Sequence, residues 1–451
     1  MLNAKRSILN NRSHHWTRLA GVVIAAVVIG DIAWLLPSLR SQFEDWLAQG
    51  RTGFACRTHT DGSRHVVFIP HQRVAEEQLP LIVFLNGVGE NGDDGVKQIS
   101  NNFGSAVWEL KARFPFAILA TQCRIDGSWS PESDDTRRLL EVLDQTVTEY
   151  GIDPDRVYLT GPSAGGNGAW RLGAAFADRF AAIVPLASAT CDMPESEAVS
   201  AFAAVTMPIW NFCTRGDAAT LVEFNQRIHA QLVAAGLDAR LTEYDSDGHD
   251  CWTEAYRTPA LYDWLWRQSR KSRARQPKYR PLFDVAPLSE WTATGGVPSI
   301  DDKVLSVNGA CELVTHQAFE SVEVRFEFFS DAPAPLGIIL RRENAAAGAP
   351  REIRGVIDWP QHNSGGFVDE RGNWIATADP VAQRSLALGH WNAIQVVLAG
   401  ERATLSLNGL PLAEATLPRG NSGEWQIGLA ARSEHRFRTM RLRPVAAERS
   451  H

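Results

Sequence analysis

From residue 64 to residue 268, short and nearly all-apolar runs alternate with segments of helical period. The runs are "RHVVFIP", "LPLIVFLNG", "FAILATQ", "DRVYLTG", "AAIVPLAS", "MPIWNFC" and "ARLTEYDS". A strand that is apolar on both faces must be covered on both faces, which is the situation of a parallel sheet between layers of helix. The segments between the runs supply that cover. In "DDTRRLLEVLDQTVTEYG" the residues Leu139, Leu140, Val142, Leu143, Val147 and Tyr150 form one apolar stripe, Asp134 and Asp135 suit a helix start, and Gly151 suits its end. "TLVEFNQRIHAQLVAAG" repeats the logic, with Thr220 as a cap and Gly236 as a stop. The alternation predicts an α/β domain with a mostly parallel sheet and helices on both faces.

After Pro281 the period changes from helical to two. "SVEVRFEFFS" sets Val322, Val324, Phe326 and Phe328 against Glu323, Arg325 and Glu327, the pattern of a half-buried strand. "WNAIQVVLAGERATLSLNGLPLAEATL" reads as three strands broken at Ala399-Gly400 and Asn408-Gly409; Asn-Gly favours a tight hairpin because both positions accept positive φ. An antiparallel β-sandwich is predicted. Between the halves, "RQSRKSRARQPKYRP" is basic, has no apolar face and ends in proline. It predicts an exposed linker that lets the two domains move independently.

The first residues read differently again. Lys5, Arg6, Arg12 and Arg18 precede "LAGVVIAAVVIGDIAWLL", residues 19–36, with Trp16 and Trp34 near its ends. The run is about the minimum for one membrane crossing at ~1.5 Å per residue. The basic flank predicts an N-terminus inside and the rest of the chain outside, periplasmic or extracellular. No small-x-small cleavage site follows, so an uncleaved signal anchor is expected rather than a removed signal peptide.

At 451 residues the chain is long enough for two domains. A net charge of −7 is mild for that length and gives no reason to expect nucleic acid as a partner. Six cysteines, none in a C-x-x-C pair, argue against a zinc ribbon or a thioredoxin motif; their even number permits disulfides in an oxidising compartment. No metal or cofactor is expected.

The chemistry concentrates in "LTGPSAGGNGAW". Gly161-Pro162-Ser163-Ala164-Gly165 fits G-x-S-x-G, and it stands where that motif needs to stand, after a strand and before a helix. Such a corner aims Ser163 out of the sheet and leaves the Ala164 N–H at a helix start, available to an oxyanion. A serine needs a base, and the base an orienting acid. Asp217 in "TRGD" and His249 in "DGHDCW" each follow a strand, in the chain order Ser, Asp, His. His229 falls within a helical pattern. Asp245 and Asp247 stand too close to His249 in sequence to orient its ring. Asp192 is the second-choice acid. A second oxyanion donor is expected from the glycine-rich loop "VFLNGVGENGDDG", at the Val88 N–H. The loop lacks G-K-[ST], so phosphate cradling is disfavoured.

With "PLIVFLNGVGENGDD", "ATQCRIDGSW", "YGIDPDRVYLTGPSAGGNGAW" and "GHDCWTEAYRTPALYDWL" in this order, the chain resembles α/β-hydrolase esterases of the phospholipase/carboxylesterase type. It is similar in particular to the bacterial "predicted peptidase" branch, whose relatives include feruloyl and acetylxylan esterases. The family's usual His-Gly in the oxyanion loop is Asn86-Gly87 here, the residue after the serine is Ala164 rather than Met or Gln, and "CTRGDAAT" lacks the usual flanks of the acid. Through "LFDVAPLSEW", "GIILR" and "GHWNAIQVVLAGERATLSLNG" the second half resembles a concanavalin-like β-sandwich family, some of whose members are described as 3-keto-disaccharide hydrolases. That family's central acidic stretch is replaced by "IRGVIDWPQ", so the resemblance implies the fold and sugar contact but not catalysis, with Asp358, Trp359 and Trp374 as candidate carbohydrate contacts.

These readings divide the chain into a signal anchor and stem (1–50), an α/β-hydrolase domain (51–268), a basic linker (269–281) and a concanavalin-like sandwich (282–445). The expected activity is hydrolysis of carboxylic esters, with polysaccharide decorations as the substrate class. A peptidase on the same triad and a non-catalytic carbohydrate-binding surface protein are the competing readings. The intact Ser163 and His249 argue against the last.

Overall fold

A computed structural model describes residues 52–445 apart from 72–77, 274–278, 282–287, 289–290, 302–303, 308, 343–350, 359–364, 384 and 418–423. The apolar run of residues 19–36 lies outside this range, as does Trp359. Among the described residues no helix is long and apolar enough to cross a membrane.

The first domain is one eight-stranded sheet. Its strands are β1 (Gly53–Thr58), β2 (Arg64–Ile69), β3 (Leu79–Leu85), β4 (Ala117–Thr121), β5 (Ile152–Pro162), β6 (Ala182–Leu186), β7 (Ile209–Gly216) and β8 (Ala239–Asp247). In space they run β1-β2-β4-β3-β5-β6-β7-β8. The pairings β1 with β2 and β2 with β4 are antiparallel, and every pairing from β4 through β3 to β8 is parallel. The central strand β3 is buried along its whole length, as its apolar run requires. Helices α1 (Phe103–Leu110), α2 (Asp134–Tyr150), α3 (Ala164–Ala175), α4 (Glu195–Val205) and α5 (Ala219–Ala234) connect the strands. The α2 ends are chemical: Ser133 accepts from the Thr136 N–H at the start, and Gly151 at φ 64° closes the helix. Thr220, expected to cap α5, instead lies inside it, since the helix already begins at Ala219.

The direction of winding reverses between β3 and β5. From β3 the chain moves outward to β4, then crosses back through α2 to β5 on the other side. Loops leaving the carboxyl ends of two such adjacent strands diverge and open a crevice between them. The β3 loop begins at Asn86, and the β5 loop is Ser163 itself.

The second domain is a sandwich of two antiparallel sheets. One runs in space as Trp291–Gly295, Cys311–Phe319, Trp425–Ala431, Leu336–Arg342, Arg351–Ile357, Gly366–Val368 and Trp374–Thr377. The other runs as Ser299–Asp301, Val304–Val307, His435–Pro444, Ser321–Phe329, Trp391–Ala399, Arg402–Leu407 and Leu410–Thr416. The Asn408-Gly409 turn has φ of 49° and 83°, the geometry its sequence predicts.

The basic run does not behave as a solvated linker. Arg273, at the end of a short helix (Arg270–Arg273), is buried and donates to the carbonyls of Phe180 and Ala177 at 2.5 and 3.0 Å. Loss of water pushes its guanidinium down to about 10. Arg270 and Lys271 both pair with Asp155, at 3.2 and 2.5 Å. Tyr279 is buried and donates to Glu323 at 2.6 Å. The described parts of the run act as a strap, with Arg270, Lys271 and Arg273 held to the first domain and Tyr279 to the second, through donors whose acceptors composition alone does not reveal.

The seam itself is packed. Asp238, just before β8, pairs with Arg325 at 2.7 Å and with Arg443 at 3.3 Å, and both arginines also pair with Glu323 at 2.7 Å. The Tyr279 ring lies between Arg325, Arg441 and Arg443, whose guanidinium carbons are 5.1, 4.5 and 4.5 Å from its centre. The tip of the Asn408-Gly409 hairpin meets the sheet of the first domain, where Thr242 donates to the Asn408 carbonyl at 2.5 Å and accepts from the Trp210 indole at 2.9 Å. One continuous apolar cluster holds Trp210 and Trp264 of the first domain and Phe326, Ile394 and Leu407 of the second.

Candidate active site

Ser163 ends β5 and precedes α3 with φ 53° and ψ −119°. This is strained backbone for a residue with a Cβ, and it persists only where the surroundings enforce it. The glycines around it explain how. A Cβ on Gly161 would lie 2.4 Å from the Leu85 carbonyl oxygen, and one on Gly165 would lie 2.0 Å from the same atom. The corner therefore presses against the end of β3 with no room for a methyl group. The Ser163 N–H donates to the Leu186 carbonyl, 2.9 Å away at the end of β6, which fixes the turn from the other side as well.

The structure brings Ser163, His249 and Asp217 together. His249 Nε2 is 3.0 Å from Ser163 Oγ, and His249 Nδ1 is 2.7 Å from Asp217 Oδ2. The Asp217 side chain is 7% exposed, and its other oxygen accepts the Ala218 N–H at 2.7 Å. Two contacts tie the acid loop after β7 to the histidine loop after β8. Thr214 donates through its hydroxyl to the Gly248 carbonyl, and the Gly248 N–H donates to the Gly216 carbonyl at 3.2 Å. Trp252 stands edge-on to the imidazole with ring centres 5.3 Å apart. Asp192, the alternative acid, is exposed and lies 3.8 Å from Arg171, apart from the histidine. His229 pairs with Glu327 across the domain seam instead.

Ala164 is the first residue of α3, where an N–H has no intrahelical acceptor. Val88 likewise opens a single 3-10 turn, Val88–Glu90, with its side chain exposed. What sequence reasoning missed is how the Val88 loop is held. Asn86, fully buried, donates to the Gly87 carbonyl and to Asn91 Oδ1, both at 2.8 Å, and accepts the Cys123 N–H at 3.0 Å. Trp129 donates to the Asn86 carbonyl at 3.0 Å. Gln122 accepts from the Gly95 N–H and donates to the Glu90 carbonyl, at 2.8 and 3.0 Å. The signal was present at Asn86, whose side chain both donates and accepts at the position where the resembled family carries histidine.

Glu90 also belongs to this loop. A Cβ on Gly87 would lie 3.1 Å from Glu90 Oε2 and 3.7 Å from the Ser163 Cβ, so the carboxyl and the serine flank one point. Burial pushes the Glu90 carboxyl up, and backbone N–H groups of Glu90 and Gly87 partly offset the shift.

All six cysteines are free thiols. Among the described residues no group of three His, Cys, Asp or Glu is placed to hold a metal ion. In the sandwich, Asp358 and Trp374 line one groove of about 510 Å³, with Arg354 and Glu312 on the same wall. Arg354 pairs with Glu312 and Glu352, each at 2.6 Å, and Trp374 is 45% exposed.

Residues 278–443 match the family described as the 3-keto-alpha-glucoside-1,2-lyase-like domain. No curated protein matches the chain. Among solved structures the chain is similar to a thermostable esterase, with 29% identity over 48% of this chain and a TM-score of 0.44; it spans 63% of that protein's length. It is similar to a ferulic acid esterase, with 17% identity over 47% of this chain and 95% of the other and a TM-score of 0.37. It is also similar to the carbohydrate binding module CBM66 from Bacillus subtilis, with 14% identity over 34% of this chain and 93% of the other and a TM-score of 0.28. The chain therefore joins an α/β domain with a mostly parallel sheet to a β-sandwich that matches the 3-keto-alpha-glucoside-1,2-lyase-like family.

Proposed function

We propose that the chain is an exported serine hydrolase that cleaves carboxylic esters through an acyl-enzyme. The observation that carries this reading is the contact chain Ser163 Oγ to His249 Nε2 and His249 Nδ1 to Asp217 Oδ2, at 3.0 and 2.7 Å, on a strained serine. Neutral His249 takes the Ser163 proton as Oγ attacks the ester carbonyl. Asp217 holds the ring in the tautomer that keeps Nε2 open and balances the imidazolium that forms. The N–H groups of Val88 and Ala164 receive the oxyanion. Collapse breaks the acyl–oxygen bond, and the imidazolium returns its proton to the leaving alcohol. Water, deprotonated by the same His249, then attacks the acyl carbon; the bond to Ser163 Oγ breaks, the imidazolium returns its proton to that oxygen, and the acid is released.

Acyl or aromatic ester decorations of polysaccharide are the proposed substrate class. The support is the sandwich's family and its open groove, where Asp358 and Trp374 stand together. Anchoring by the apolar run of residues 19–36, with the catalytic domain outside the cytoplasm, follows from the basic residues before it.

The test is labelling with a fluorophosphonate beside turnover of p-nitrophenyl acetate and methyl ferulate. Label at Ser163, lost together with turnover in Ser163→Ala, is the expected result. A well-folded Ser163→Ala protein that still hydrolyses both esters would overturn the assignment.

A further inference from the structure

We propose that Asn86 is a positioning residue for hydrolysis: its side-chain amide sets the plane of the Gly87–Val88 peptide and so aims the Val88 N–H at the developing oxyanion. The inference rests on Ser163 being the nucleophile. A trans peptide is planar, and its C=O and N–H point in opposite directions. Whatever fixes the Gly87 carbonyl therefore fixes the Val88 N–H. Gly87 has no side chain to limit rotation of that plane. It also stands against the serine corner, where a Cβ on it would lie 3.5 Å from the Pro162 carbonyl oxygen and 3.7 Å from the Ser163 Cβ.

Two donors hold the Gly87 carbonyl. Asn86 Nδ2 reaches it at 2.8 Å and the Glu90 N–H at 3.1 Å. Both stand on the carbonyl side of the peptide, opposite the Val88 N–H. The Glu90 bond belongs to the 3-10 turn itself, whereas the Asn86 bond is supplied by a side chain outside the turn. Val88 opens that turn, so its N–H has no acceptor within it.

The Asn86 amide can sit only one way. The Cys123 N–H can only donate, so the atom 3.0 Å from it is Oδ1. The Gly87 carbonyl can only accept, so the atom facing it is Nδ2. The other Nδ2 hydrogen goes to Asn91 Oδ1 at 2.8 Å, and the Asn86 carbonyl accepts from the Trp129 indole at 3.0 Å. Asn86 has no exposed surface, and Cys123 is tied back to the same loop by the Gly92 N–H, 2.9 Å from its carbonyl. The amide thus carries the rigidity of the β3 and β4 ends to a peptide that can otherwise turn about Gly87. A donor aimed in this way acts on charge that develops only in the transition state, so its loss is felt in kcat and not in KM.

The experiment compares Asn86→Leu, close in shape but without hydrogen bonds, with Asn91→Ala, which removes one partner of Asn86 and leaves the Gly87 contact. Both are assayed beside the parent full chain on p-nitrophenyl acetate across a range of pH, and tested for inhibition by phenylboronic acid, whose tetrahedral serine adduct carries an oxygen in the oxyanion position. Asn86→Leu should lower kcat by roughly 10–10³, with KM held within about threefold. The boronic acid should weaken by the same factor as kcat/KM, and the His249 inflection of the pH profile should stay in place. Asn91→Ala should lose less than about threefold in kcat. If Asn86→Leu does not fold, Asn86→Ala is held to the same expectations. A folded Asn86 variant whose kcat matches that of Asn91→Ala would overturn the proposal. So would a change confined to KM, which makes Asn86 part of substrate binding, or a moved inflection, which makes it act through His249. Ser163→Ala keeps the two readings apart: if it stays active, the nucleophile assignment fails first; if it is inactive while the Asn86 variants are not, only this inference fails.

Discussion

The corner at Ser163 and the seam at Tyr279 are both places where the chain is held tightly, and they are built in opposite ways. The corner is set by a local spacing: two glycines four residues apart let its backbone press against the end of β3 at Leu85, and the strain at Ser163 follows. The seam is made by residues scattered over the chain, with Asp238, Tyr279, Glu323, Arg325 and Arg443 converging on one buried cluster. A site that uses local geometry tolerates no added bulk at its glycines but asks nothing of the second domain. A site that uses long-range pairing makes each domain depend on the other.

Substitution at the two places should therefore separate activity from stability. Ser163→Ala should cost roughly 10³–10⁶ in kcat on a soluble ester and leave the unfolding transition where it was. Asp238→Asn should do the reverse. It leaves Arg325 and Arg443 with one uncompensated charge in a buried place, which costs about 3–5 kcal/mol in denaturant unfolding, while kcat of the protein that stays folded should change little. An Asp238→Asn protein as stable as its parent would mean the cluster contributes nothing to docking. Gly165→Ala should affect both properties, because its methyl group has to displace the Leu85 carbonyl: stability should fall by about 1–3 kcal/mol, and turnover should fall as Ser163 moves away from His249.

This contrast also sets what the sequence could show. G-x-S-x-G carries its own explanation, since the spacing of Gly161 and Gly165 is the spacing of the close approach. Asp217 and His249 were legible because each follows a recognisable strand and the sheet brings strand ends together. The Asn408-Gly409 turn was legible for the same local reason, but its docking against Trp210 and Thr242 was not. The strap was misread because Arg273 and Tyr279 have partners 93 and 44 positions away, at Phe180 and Glu323, and a basic run with no apolar stripe looks like any exposed segment. Asn86 was noticed only as a departure from a pattern; its role in holding the Val88 loop depends on Asn91 and Cys123 meeting it in space.

Acid should loosen the seam. Burial alone would push the Glu323 carboxyl up, but Arg325 and Arg443 outweigh it and hold it down to about 2. Glu327, likewise buried, is held down to about 2 by His229 and Arg438. A carboxyl lowered in the folded state stabilises fully above its unfolded value, near 4.5, and loses that contribution as pH falls through its folded value. Domain docking should therefore weaken between about pH 4.5 and pH 2, visible as a change in Trp fluorescence or as proteolysis at the strap ahead of loss of the α/β sheet signal. A single concerted loss of all signals would mean that the two domains unfold as one unit.

The smallest effect is expected at Glu90, which belongs to the corner yet behaves like a seam residue. Its carboxyl is raised by burial, so the fold favours the protonated form. Ionisation then costs stability: the cost appears as pH rises through the unfolded value, near 4.5, and is complete above the folded one. Glu90→Gln removes the ionisation while its amide oxygen still accepts the Gly87 N–H. The variant should unfold at the same temperature as the parent below that window and at a slightly higher temperature at neutral pH, with turnover retained. The opposite sign at neutral pH, a less stable Glu90→Gln, would mean that the charge itself holds Gly87 and the Val88 turn in place. The oxyanion loop would then depend on electrostatics as the seam does, and the distinction between the two regions would fail at that residue.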